Sequence, residues 1–130
     1  MRFVLPLSLF LALVSCKKEQ QPGEGLTLVT SLTALEQDIS SGVSMVFYHA
    51  HWCHVCQDLK PRVEGTATDA ELGAVFFGEV EYDDHPDILN QYNIIGFPTV
   101  VIYVDGVEVD RFSGGGHTRA EFKTAIQAHL

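Results

Sequence analysis

The sequence predicts an α/β domain in which a central mixed β-sheet is flanked by helices on both faces. Three observations carry this. Apolar runs of strand length alternate with segments of helical period, Asp105-Gly106 marks a tight hairpin near the C-terminal end, and the capping box of Thr118 and Glu121 opens one last helix. Alternating strands and helices imply parallel pairing through crossovers, and the hairpin adds an antiparallel pair, so the sheet is mixed. A chain of 130 residues that is 46% hydrophobic suits one compact domain with a buried core.

Taken in order, Leu32, Leu35 and Ile39 repeat at helical spacing and Thr33 with Glu36 fits a capping box, which predicts a helix over residues 31–40, ended by Ser40-Ser41-Gly42. Residues 43–50 read as a buried strand, with Val46, Phe47 and Tyr48 in succession. A helix follows over residues 52–64, bent by Pro61, which removes a backbone donor. Residues 74–82 form a second core strand. Residues 86–92 form a short helix opened by Pro86, and residues 99–104 a third core strand. The Asp105-Gly106 turn then leads into a strand over residues 107–112. The glycines at 114, 115 and 116 make a turn, and Phe122, Ala125, Ile126 and Leu130 line one face of the final helix. No internal repeat or low-complexity tract is present.

The first sixteen residues differ from the rest. Arg2 gives a positive start and residues 3–14 are apolar but for Pro6 and Ser8, the pattern of a secretory signal. The run is shorter than the roughly 20 apolar residues of a membrane-spanning helix. It ends in Leu13-Val14-Ser15-Cys16, which resembles the bacterial lipobox, whose cysteine becomes the acylated first residue after cleavage. The alternative is an ordinary secretory signal that happens to contain Cys16. The lipobox accounts better for an unpaired cysteine in an exported chain. The expected organisation is therefore a lipoprotein signal over residues 1–15, a lipidated Cys16 with a polar, Pro- and Gly-containing tether over residues 16–25, and the folded domain over residues 26–130. This puts the domain outside the cytoplasm, anchored to a bacterial membrane and facing the periplasm or the cell exterior.

The formal net charge is −9 at pH 7, from 8 Lys and Arg against 17 Asp and Glu. With no basic run beyond Lys17-Lys18, the chain lacks the phosphate-neutralising surface that nucleic-acid binding draws on.

The chemistry concentrates in YHAHWCHVCQDLKP, residues 48–61. Cys53 and Cys56 fall in the first turn of the expected helix, where unpaired N–H groups and the positive end of the helix dipole favour a thiolate. A thiolate attacks disulfides, and a second cysteine three residues on can resolve the mixed disulfide.

Trp52-Cys53-His54-Val55-Cys56, with Pro61 five residues later and Gly96-Phe97-Pro98-Thr99 downstream, resembles the thioredoxin family. The similarity covers residues 26–130. The element order matches the family's, and residues 79–99 align with the corresponding thioredoxin segment without a gap. The resemblance implies a thioredoxin fold and a thiol–disulfide oxidoreductase, with Cys53 as exposed nucleophile, Cys56 as buried resolving cysteine and Pro98 as a cis-proline facing the pair. It implies a substrate groove of Trp52, His54, Val55, Phe97, Pro98, Gly115 and Gly116. It further implies a monomer that acts on protein thiols and disulfides, with a membrane electron donor or acceptor. No cofactor is implied beyond the redox disulfide, and no metal. The direction of electron flow, the potential and the clients are left open.

Two positions depart from the family. Thioredoxins usually carry a buried Asp six places before the first cysteine, where this chain has Phe47, and the neighbouring lysine falls on Glu79. Glu79 is the expected substitute proton acceptor, its pKa raised if desolvated; a surface glutamate at a strand end is the other reading. His54-Val55 replaces the usual Gly-Pro, and a protonated His54 would stabilise the Cys53 thiolate and make the disulfide more oxidising.

The main alternative function is a Cys/His metal-binding or copper-handling protein built from His49, His51, Cys53, His54 and Cys56. Against it, His49 and His51 should leave the strand end on one side as partly exposed residues lining the approach, while His54 starts the helix. A purely structural staple would usually close a longer loop. A binding protein without turnover would not need both cysteines, Trp52 and Pro98. His85, His117 and His129 read as surface residues.

Overall fold

A computed structural model describes residues 25–130. The signal, Cys16 and the tether up to residue 24 lie outside the described residues.

The chain runs β1 (Thr27–Leu28), α1 (Leu32–Asp38), β2 (Val43–His49), α2 (His54–Ala67), a 3-10 turn (Ala70–Leu72), β3 (Phe76–Glu81), α3 (Pro86–Gln91), β4 (Thr99–Val104), β5 (Val107–Ser113) and α4 (Arg119–Gln127). The sheet order is β1-β3-β2-β4-β5. β1 and β2 each pair with β3 in parallel, whereas β4 is antiparallel to both β2 and β5. The expected mixed sheet is therefore present.

Period-two alternation along β2, β3 and β4 divides the core into two layers. Met45, Phe47, Phe77, Val100 and Ile102 face one side and pack with α2 and α4 through Leu59, Val63, Phe122 and Ile126. Val46, Tyr48, Val80, Val101 and Tyr103 face the other and pack with α1 and α3 through Leu35, Ile39 and Ile88. β2 is thus buried on both faces, which explains its unbroken apolar run. On the α1/α3 side the hydroxyls of Tyr48 and Tyr103 pair at 2.8 Å, and burial pushes both phenols well above their ordinary range.

Several boundaries move for local reasons. The N-cap of α1 is Ser31, whose hydroxyl accepts from the Ala34 amide, so the capping box expected at Thr33 does not form. α2 begins two residues later than expected because Cys53 is its cap, and it continues through Pro61 to Ala67. The hairpin turns at Asp105 and Gly106, both with positive φ, the backbone that an Asp-Gly pair tolerates in such turns. Between Ile102 and Tyr103 the register with β5 slips by one residue, leaving Val109 as the extra residue of a bulge. α4 carries the full capping box between Thr118 and Glu121 that its sequence predicts.

Candidate active site

The pair sits where β2 ends and α2 begins. Leaving the sheet at His49, the chain turns through residues 50–52. Cys53 caps α2, with its Sγ accepting from the Cys56 amide at 3.2 Å. That amide and the helix N-terminus stabilise negative charge on Cys53 when the pair is reduced. Cys53 and Cys56 are joined as a disulfide with Cα atoms 5.2 Å apart. Cys53 is partly exposed, while Cys56 is 1% exposed and packs with Phe47, Leu59 and Val63. A client thiolate can therefore reach Cys53 and not Cys56. The sulfurs are bonded to each other, and among the described residues the one metal-compatible trio is His51, Glu81 and Asp83, which includes neither cysteine. The Cys/His metal reading is accordingly not favoured.

Around the disulfide the surface is apolar. Trp52 is 57% and Val55 49% exposed. Trp52, Tyr82 and Phe97 form an aromatic group with centroid separations of 5.0 to 6.3 Å. The Phe97-Pro98 peptide is cis, and the Pro98 carbonyl accepts from the Gly114 amide at 2.9 Å, tying that loop to the glycine turn. Gly115 lies against Val55 so closely that a Cβ there would stand 2.6 Å from Val55 Cγ1. The two loops and the helix start thus meet around the pair, and His54 stands exposed at the first position of α2. Tyr82 was not among the expected groove residues; its place directly after a core strand and inside the gapless segment is the signal that could have found it.

At the strand ends the expectation for Glu79 changes. Its carboxylate Oε2 is 3.2 Å from His49 Nε2 and 3.3 Å from Lys60 Nζ. The imidazole within hydrogen-bonding reach, together with the Lys60 charge, outweighs partial desolvation and holds the Glu79 pKa below the usual carboxylate value, where a rise had been expected. His49 is also more enclosed than expected: its side chain is 12% exposed and its ring stacks on Phe47 at 4.6 Å. His51, by contrast, is 72% exposed at the site's edge. His117, expected at the surface, is partly buried against Phe112 and Phe122.

The thioredoxin family profile matches residues 27–128. The chain belongs to the thioredoxin family. It is 36% identical over 86 residues to the thioredoxin of Chlamydia caviae, an alignment spanning 66% of this chain and 82% of that one. Among solved structures, a mutant thioredoxin from Halobacterium salinarum superposes with a TM-score of 0.73 at 27% identity, covering 84% of this chain and 93% of that one. Thioredoxin from Fasciola hepatica gives 0.70 at 29% identity, with coverages of 81% and 100%. With a family pair of this kind on a thioredoxin fold, the chain is a thiol–disulfide oxidoreductase, and the chemistry is exchange with protein thiols and disulfides.

Proposed function

We propose that this protein is an exported, lipid-anchored thioredoxin-like oxidoreductase that exchanges disulfides with protein clients outside the cytoplasm. The observation that carries the exchange is the asymmetry of the pair, with Cys53 reachable at the helix cap and Cys56 enclosed beneath it. Cys53 attacks a client disulfide and Cys56 resolves the mixed disulfide; in the opposite direction a client thiol attacks the Cys53–Cys56 bond. Trp52, His54, Val55, Phe97, Pro98, Gly115 and Gly116 form the groove that receives the client, and Glu79 belongs to the proton-accepting apparatus under it. The dithiol carries both electrons, so no organic cofactor is needed.

Export and anchoring rest on the Leu13-Val14-Ser15-Cys16 motif. An anchored domain beyond the reach of cytoplasmic reductants requires a membrane electron donor to act as a reductant, or a membrane acceptor to act as an oxidant. The test is to express the full chain and a Cys16→Ser variant in a bacterial host, follow each through membrane fractionation, and equilibrate the extracted protein with glutathione buffers. Membrane retention that Cys16→Ser abolishes supports the anchor; retention unchanged by the substitution overturns it. A potential near that of thioredoxin, about −270 mV, means a reductant, and one near about −120 mV an oxidant. A pair that never cycles overturns the exchange itself.

A further inference from the structure

Cys56 is shut into an apolar cluster, and burial of this kind raises the pKa of a thiol. Resolution nevertheless needs its thiolate, so a proton must leave an enclosed place. The face of the sheet beneath α2 is apolar through Met45, Phe47 and Phe77. It turns polar only at the strand ends, where the parallel register sets Glu79 beside Phe47 and Glu81 beside His49. These groups connect to the surroundings of Cys56 through Phe47 on the sheet and through Lys60 on α2. The His49 ring stacks on Phe47, which packs with Cys56. Lys60, one helical turn after Cys56 on α2, reaches Glu79. His49 Nε2 and Glu79 Oε2 are both buried, 3.2 Å apart, and neither has an aligned hydrogen bond among the described residues. From them a chain of polar atoms leads outward. His49 Nδ1 is 3.3 Å from Glu81 Oε2, Glu81 Oε1 is 3.2 Å from His51 Nδ1, and the exposed His51 is also 3.2 Å from Asp83 Oδ2.

We propose that Glu79 and His49 act as one proton-holding unit that takes the Cys56 proton during resolution, with Glu81 and His51 as its route to solvent. The inference rests on Cys56 being the resolving cysteine and deepens that reading. In the step, Cys56 Sγ loses its proton to the pair and attacks Cys53 Sγ. The Cys53–Cys56 bond forms, the bond from Cys53 to the client sulfur breaks, and the client leaves as a thiolate that takes up a proton. The two cysteines are oxidised and the client disulfide is reduced. A carboxylate alone, held low by His49 and Lys60, is a poor resting place for a thiol proton. The His49 imidazole gives that proton a second acceptor 3.2 Å from the carboxylate. The charges facing His49 are Glu79 and Glu81 from β3, with Lys60 of α2 acting through Glu79 and His51 through Glu81.

The test uses the full chain with Cys16→Ser, reduced and mixed in stopped flow with an aryl disulfide whose thiolate product absorbs visible light. A first release reports attack by Cys53 and a second reports resolution by Cys56. With the pair intact, the second rate rises with pH through one inflection and levels off. In His49→Phe and His49→Gln the inflection is lost and the rate climbs about tenfold per pH unit. It falls at least about tenfold below the parent at pH 7, within the usual range for a lost general base, and approaches the parent in alkali. Glu79→Gln moves the inflection to lower pH, because the anion that favours imidazolium is gone, and this shift decides the matter should neither His49 variant fold. Profiles that overlay the parent, or fall by one constant factor at every pH, overturn the proposal. No second phase in the parent removes the resolving role of Cys56 itself, which is a different failure.

Discussion

At the scale of single residues, the site depends on how closely Gly115 approaches the first turn of α2. A methyl group at Gly115 would stand 2.6 Å from Val55 Cγ1, and the β-branched valine has few rotamers to escape into. Gly115→Ala is therefore expected to displace the first turn of α2, residues 53–56, and lower kcat/KM for disulfide reduction about tenfold. Adding Val55→Ala should restore most of it, the non-additivity that marks contact. A Gly115→Ala enzyme as active as the parent would show that this turn yields without cost. The same scale shows what the sequence made legible. Cys53, Cys56 and Pro98 could be read because their chemistry is local or carried by a specific resemblance. The surroundings of Glu79 could not, because they depend on His49 and Lys60, which are 30 and 19 positions away and meet it only through the parallel register and one helix turn.

Among elements, the segment that carries Phe97 and Pro98 is held from outside by Arg111. From β5 its guanidinium donates to the carbonyls of Tyr92 and Asn93 at 2.9 Å each, where α3 ends, while Glu108 pairs with the same fork. Those carbonyls have lost their helical partners, so the arginine serves as a cap supplied by another strand. Arg111→Ala should lower unfolding stability by about 1–2 kcal/mol. It should also speed hydrogen exchange at the Ile94 amide, which bonds to the Leu89 carbonyl, and leave the β2 amides unchanged. Unchanged exchange at Ile94 would mean that the loop holds itself. Elements with strong periods, such as β2 and β4, were readable, as was the fully signalled cap of α4. β1 was not: two residues carry no period, and Thr27–Leu28 is a strand only because β3 is there to pair with it. The cap of α1, though not its start, was misassigned because Ser31 and Thr33 both carry capping hydroxyls, and only backbone geometry selects Ser31.

For the whole molecule, acid stability follows from carboxylates that the fold holds ionised. Asp69, hydrogen-bonded by Lys123, Glu79, against His49 and Lys60, and Glu121, in its capping box, all have pKa values lowered on folding. A group with a depressed folded pKa stabilises the native state above its unfolded value, near about 4 for Asp and Glu, and that contribution is lost as pH falls through the folded pKa. Asp38, raised by desolvation, works in the opposite direction but stands alone against three. The urea midpoint of the oxidised protein should therefore hold between pH 7 and about 5, then decline below about 4. Relief of repulsion in a chain of formal net charge −9 would instead raise stability as acid neutralises it. The two causes separate in one comparison: Lys123→Met frees Asp69 from its partner and should flatten the acid decline. A midpoint that keeps rising below pH 4 would instead assign the pH response to net charge.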